Sequence, residues 1–196
     1  MSDREPLEIF FNFRSPYCYL ASKRMFDLLQ QFDIDLLWRP LAGWSGRSAP
    51  ERQKSKLAVV RQDVKRFCRK LDIPFTPPPM HTDGTLAALG SLAAEKAGLL
   101  QPYVIGVMHQ EWGEGNDIGD IDVLYRVAED IGLARSLLDQ AVSGPANEAV
   151  LDLNWQIAQE KGAFGVPTFI VGGELFWGND RIDFVADLLR EKGFTR

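Results

Sequence analysis

Strand-forming sequence sits at the two ends of this chain and hardly at all between them. Leu7 to Phe13 reads Leu-Glu-Ile-Phe-Phe-Asn-Phe, short, aromatic and β-branched, bounded by Pro6 and Pro16, and predicts a strand. Ser15-Pro16 follows as a helix start, a hydroxyl N-cap with proline at the first helical position. Ala21, Met25, Leu28 and Phe32 then form the apolar stripe of an amphipathic helix. Ile34 to Trp38 is a second strand, ended by Arg39-Pro40. The chain therefore opens β-α-β, for which a right-handed parallel crossover is the default geometry.

Strands return only at Thr168 to Val171 and Glu174 to Trp177, with Gly172-Gly173 as a two-residue hairpin turn between them. The intervening sequence is helical. Leu41 to Ser48 is small and glycine-rich. Pro50 to Leu71 is charged, with a stripe of Leu57, Val60, Val64 and Phe67. Ile73 to Pro79 carries four prolines and predicts an extended connector. Helices are expected over Thr85 to Leu99 and Pro102 to Trp112. A third, capped by Asp122, carries Leu124, Val127, Ala128 and Ile131, and a short one runs from Ala134 to Val142. Pro145 to Lys161 follows, with Ala146, Ala149, Val150, Leu153 and Ile157 inward. Asp180 to Lys192 closes the chain with Ile182, Val185, Leu188 and Leu189 inward. Placing all four strands in one sheet turns the middle into an all-helical insert on an α/β core.

Composition narrows the function. The 196 residues are 45% hydrophobic and 25% charged, ordinary globular values that exclude disorder, collagen-like fibres and coiled-coil rods. A net charge of -5 argues against a nucleic-acid binder, which would carry a basic excess. The basic run Arg47 to Arg69 reads at most as a local anion site. No apolar stretch approaches the ~20 residues of a membrane span. Met1 to Glu5 carries both charge signs and begins no signal-peptide pattern. A cytoplasmic protein is expected, with Cys18 and Cys68 as thiols in a reducing compartment. There is no C-x-x-C, and His81 and His109 are isolated, so no metal site is expected.

Three segments could carry chemistry. Arg14-Ser15-Pro16-Tyr17-Cys18 lies on a strand-to-helix turn, where free backbone N–H groups favour an anion. Ser15 is either an N-cap alone or also a donor to a thiolate held there. Gly162 to Thr168 places Pro167 directly before a strand. A cis Val166-Pro167 bond would leave the Val166 backbone groups outward to pair with a peptide, whereas a trans bond would simply start the strand. In Trp177-Gly178-Asn179-Asp180-Arg181, Asn179 or Asp180 could cap the last helix or hold an α-amino acid head group.

These segments occur in one order: S-P-Y-C turn, helical insert, G-V-P-T, hairpin, G-N-D-R and terminal helix. The chain resembles the DsbA-like branch of the thioredoxin superfamily. More narrowly, it resembles the 2-hydroxychromene-2-carboxylate isomerases and the kappa-class glutathione transferases. Arg61-Gln62-Asp63-Val64 through Ile73-Pro74-Phe75 also resembles the isomerases' insert. The resemblance implies a thioredoxin-like α/β fold with a large helical insertion. The core halves would be residues 1–42 and 151–196, and the insert 43–150. It implies glutathione as cofactor and a homodimer acting on a small molecule, an aromatic carboxylate. Ser15 would be the catalytic serine that stabilises the glutathione thiolate. Val166 and Pro167 would bind the cysteinyl part, and Asn179 and Asp180 the γ-glutamyl head group. The implied reaction is glutathione-dependent cis-trans isomerisation. The alternatives are a kappa-type transferase or peroxidase, a DsbA-like thiol oxidoreductase, or a non-catalytic thioredoxin-like module. Two departures stand out. Cys18 occupies a position where many relatives have serine, and reads as a packed thiol or a monothiol redox group. His81-Thr82-Asp83-Gly84-Thr85 replaces a proline-x-asparagine-Thr/Ser stretch of the isomerases. Lys54, Lys56 and Arg61 are candidate partners for a carboxylate, and Trp44, Trp112 and Trp177 candidate walls of an aromatic cleft.

Overall fold

The structure, a computed structural model, describes residues 4–43 and 50–196, with the backbone alone for 50–57. Four strands form one mixed sheet in the order β2-β1-β3-β4: β1 (Glu5–Phe11), β2 (Ile34–Pro40), β3 (Thr168–Val171) and β4 (Glu174–Trp177). β1 runs parallel to β2, with Ile9 opposite Trp38, and antiparallel to β3, with Phe10 opposite Thr168. β3 and β4 make the expected hairpin. Gly172 and Gly173 take φ values of 56° and 85°, the left-handed pair that a two-residue turn requires.

Alternation along β1 divides the hydrophobic residues between two faces. Leu7, Ile9 and Phe11 point into the main core, whereas Phe10 joins Leu41, Ala158 and Ile170 on the opposite face. Glu8 shares that second face, where Arg39, at 3.3 Å, and Lys161 neutralise it.

The first helix is not continuous. It forms as α1 (Pro16–Ser22) and α2 (Met25–Leu29). The Ser22 hydroxyl donates to the Tyr19 carbonyl at 2.7 Å, and the Lys23 and Arg24 N–H groups turn back three residues to Leu20 and Ala21. Such local bonding competes with a helix and closes this one. Ala21, Met25 and Phe32 are buried nonetheless, so the stripe serves its core across the break.

The middle of the chain forms α3 (Pro50–Leu71), α4 (Thr85–Lys96), α5 (Leu100–Met108), a π-helical turn (His109–Glu114), α6 (Ile121–Asp130), α7 (Arg135–Ser143) and α8 (Pro145–Glu160). The helices share one core with the first face of the sheet. Phe13 meets Tyr103 edge-on, with centroids 6.3 Å apart, and the Trp38 indole donates to Ser91 Oγ at 2.9 Å. On α3, Val64 is buried and Val60 and Phe67 pack against the core, whereas the Leu57 side chain lies outside the described residues. The proline-rich connector is sewn down on both sides. The Tyr19 hydroxyl donates to the Pro74 carbonyl at 2.7 Å, and the Thr76 N–H to the Trp112 carbonyl at 2.8 Å. Phe75 stacks on Trp112, with planes within 2°.

Two helix details differ from expectation. Asp120 rather than Asp122 caps α6, its Oδ1 accepting the Asp122 N–H at 3.0 Å. α8 turns inward on Leu151, Asn154 and Ala158, leaving Val150 and Leu153 exposed. The cause is polar. Asn154 Nδ2 donates to the Pro40 carbonyl at 3.0 Å, and the Trp155 indole to the Ala42 carbonyl at 3.2 Å. These bonds satisfy the chain leaving β2 and set the helix phase against its apolar count. A 3-10 turn (Asn179–Arg181) and α9 (Ile182–Glu191) close the fold, with Ile182, Val185, Ala186 and Leu189 buried.

Gly90 marks a close approach of α4 to its neighbours. A Cβ there would lie 2.2 Å from the Tyr103 hydroxyl oxygen and 2.6 Å from Leu138 Cδ1. Tyr103 is fully buried and its hydroxyl is bonded to the Ala87 carbonyl at 3.3 Å, so it has nowhere to move. Gly90→Ala gains about 1 kcal/mol of helix propensity and loses about 1–3 kcal/mol to overpacking. The expected result is a melting temperature several degrees lower by calorimetry; an unchanged or higher value would overturn this packing account.

Candidate active site

The turn after β1 is built on Asn12. Its Nδ2 donates to the carbonyls of Leu41 and Gly43 at 3.0 and 3.2 Å, and its Oδ1 accepts the Arg14 N–H at 2.8 Å. The Ser15 N–H closes the turn on the Asn12 carbonyl at 3.0 Å. Ser15 is the N-cap of α1. Its Oγ accepts the Cys18 N–H at 3.3 Å and reaches the Val166 carbonyl at 3.4 Å as a donor. The second contact is long, so the hydroxyl proton is available to a better acceptor.

The Val166-Pro167 peptide bond is cis, resolving the alternative left by the sequence. Among the described residues, no partner takes the Val166 N–H. The Pro167 carbonyl accepts the Gly178 N–H at 2.9 Å, which fastens this turn to the one carrying Asn179 and Asp180. That 3-10 turn packs against α1. Asn179 is buried and Asp180 is exposed, paired with Arg181 at 2.7 Å. Neither caps the last helix: its N-cap position is Arg181, with no side-chain bond there, while Gly178, with φ of 104°, leads into the 3-10 turn. The Tyr17 hydroxyl donates to Asp63 on α3 at 3.0 Å. Burial foremost, then Asp63 and Asp180, push its pKa up to about 12, so it remains a phenol.

Ser15, Val166, Pro167, Asn179 and Asp180 therefore surround one turn. Cys18, one helical turn further in, has no exposed surface. Cys68 is buried as well, and burial raises its thiol pKa against the pull of Lys23. Trp112 is a packing residue, stacked on Phe75. Trp177 is 46% exposed and lies against Phe164, with centroids 4.7 Å apart, beside the cis-proline turn. Arg61 is exposed, 3.5 Å from the Met80 sulfur. Trp44 and the side chains of Lys54 and Lys56 lie outside the described residues. In the His81-to-Thr85 stretch, Thr82 is buried, and Asp83 Oδ1 accepts the Thr85 N–H at 3.0 Å just before α4, whose N-cap is Gly84.

Two contacts had no sequence signal. Arg14 turns inward and pairs with Glu111, 97 residues away on the π-helical turn. Tyr17 finds Asp63, a residue the sequence placed in the insert without a role. Glu111 is wholly buried, with Oε2 lacking a hydrogen-bond partner. Among the described residues, no three His, Cys, Asp or Glu side chains group to hold a metal ion, and no helix is long and apolar enough to cross a membrane.

Comparison with known proteins gives a consistent picture. A family model of the DSBA-like thioredoxin domain matches residues 6–190. The 2-hydroxychromene-2-carboxylate isomerase of Sphingobium xenophagum is 32% identical over 193 residues, spanning 93% of this chain and 97% of the relative. Glutathione S-transferase kappa 1 of Rattus norvegicus is 27% identical, spanning 95% and 91%. A solved structure of a 2-hydroxychromene-2-carboxylate isomerase superimposes with a TM-score of 0.81 at 26% identity, covering 95% of each chain.

Burial is the largest influence on Glu111 and lifts its carboxyl to about 7, against the opposing pull of Arg14. The folded protein then holds a proton that the unfolded chain releases near 4.5. Stability from this group is full below that value and is lost as pH rises through about 7. Glu111→Gln removes the dependence. The melting temperature of the Gln variant should gain several degrees on the wild type between pH 4.5 and 7. A constant difference across that window would contradict the assignment.

Proposed function

The chain belongs to the DSBA-like thioredoxin domain family and groups there with the 2-hydroxychromene-2-carboxylate isomerases, and from that premise we propose a glutathione-dependent cis-trans isomerase of conjugated aromatic acids. The observation that carries the reading is the meeting of the Ser15 hydroxyl with the Val166 carbonyl across 151 residues. Around it the donors suit a cysteine-containing peptide. The Val166 N–H and C=O can pair with the peptide backbone as an added strand. Asn179 and the Asp180 carboxylate stand where an α-amino acid head group would lie. A glutathione held by these residues would supply a nucleophilic thiolate, whose reversible addition to a conjugated double bond is the chemistry that frees rotation about that bond.

The residues of this chain have separate tasks. Ser15 turns its proton from the long Val166 contact towards the sulfur anion and stabilises it. The Cys18 N–H holds Ser15 Oγ in place from behind. α1 has only seven residues, so the hydroxyl rather than the helix dipole is the main donor. Tyr17, kept neutral, adds no competing charge. Cys18 has no exposed surface, which supports a cofactor-borne thiol over a redox role for the protein's own. A cytoplasmic setting suits two cysteines kept as thiols. A second reading, transfer of glutathione to an electrophile, shares the whole site and is supported by the likeness to the rat kappa enzyme. It differs only in whether the substrate carries a leaving group.

Chromene carboxylate should change its ultraviolet spectrum with this protein only when glutathione is present. Ser15→Ala should lower kcat/KM roughly a hundredfold, and loss of the cap should cost about 1 kcal/mol of stability. No glutathione-dependent change with chromenes, but turnover of an aryl halide, would favour the transferase. A fully active Ser15→Ala variant would sink both readings.

A further inference from the structure

The buried Arg14–Glu111 pair has no part in the site as described, yet it sits directly beneath it. Two consecutive residues of the π-helical turn grip the two residues that precede Ser15. Glu111 holds the Arg14 guanidinium, and the Trp112 indole donates to the Phe13 carbonyl at 3.4 Å. Arg14 is held on other sides too. Its NH2 donates to the Pro79 carbonyl at 3.3 Å, and its guanidinium lies over the Trp112 ring at 5.7 Å. The helical insertion thus clamps the turn at residues 13 and 14 and leaves residue 15 projecting.

A wholly buried carboxylate is a poor device for stability. Removing two charges from water costs what their attraction returns, and an apolar replacement of both is often neutral or stabilising. The pair does have a geometric effect, because it decides where the Ser15 backbone lies. Irregular π turns of this kind frequently mark functional sites. We propose that Glu111 is a positioning residue for the reaction, holding through Arg14 the turn that presents Ser15 to the bound thiol. The proposal rests on the glutathione reading above. The charged groups facing the carboxylate are Arg14 from the α1 turn and Asp117 from the loop that follows, the latter also 3.4 Å from His81.

The test separates position from stability. In the double variant Arg14→Met/Glu111→Met the pair is replaced by apolar side chains of similar length. Its melting temperature should stay near the wild-type value. Its kcat for glutathione-dependent isomerisation should fall roughly ten- to a hundredfold with KM for the aromatic acid little changed, since small misplacements act on the chemical step. The ultraviolet absorbance of bound thiolate should titrate at higher pH than in the wild type. If the double variant does not fold, Glu111→Gln is titrated in the same way, with the same shift expected. A stable variant with wild-type kcat and thiolate titration would overturn the proposal alone. Wild-type protein that neither binds glutathione nor isomerises would overturn the function and this proposal together.

Discussion

β1 is paired along both edges and covered on both faces, and the rest of the molecule is placed by it. Its parallel partner β2 sets where the helical insertion leaves the sheet. Its antiparallel partner β3 sets where the cis-proline turn arrives. Side chains in a strand alternate, so a slip of one residue would put Glu8 into the main core and expel Ile9. The pairing of Phe10 with Thr168 thereby fixes the positions of Ser15 and Val166 a few residues beyond.

Hydrophobic burial holds the layers together but does not place the loops that matter. Buried polar side chains do that. Asn12 shapes the turn before Ser15, Asn154 closes the end of β2, and Glu111 reaches Arg14 from the π-helical turn. Each replaces water with a directed bond, which adds little net stability but permits few alternative geometries. These residues are concentrated around the Ser15 turn, where a shift of an ångström would matter to chemistry.

Local signals were readable in the sequence. The strands, the Gly172-Gly173 hairpin, the Ser15-Pro16 helix start and the turn before Thr168 each follow from a few adjacent residues. Their order carried the family likeness, and with it the five residues that the fold gathers. What escaped was long-range or polar. The break after Ser22 comes from a side chain bonding to its own backbone. The inward face of α8 comes from Asn154, which no hydrophobic count favours. Glu111 lies in a segment that reads as an ordinary apolar helix, and nothing near it announces a partner 97 residues upstream.

The separation of β1 from β3 also orders events in time. A chain made from its N-terminus offers the β-α-β unit before the insertion and β3, with one edge of β1 still unpaired. Every helix of the insertion emerges before the strand that covers that edge. Such distant pairing slows folding more than it weakens the final state, and an open edge invites wrong partners meanwhile. The catalytic candidate Ser15 is synthesised 151 residues before Val166, so its site stays open until the cis-proline turn arrives.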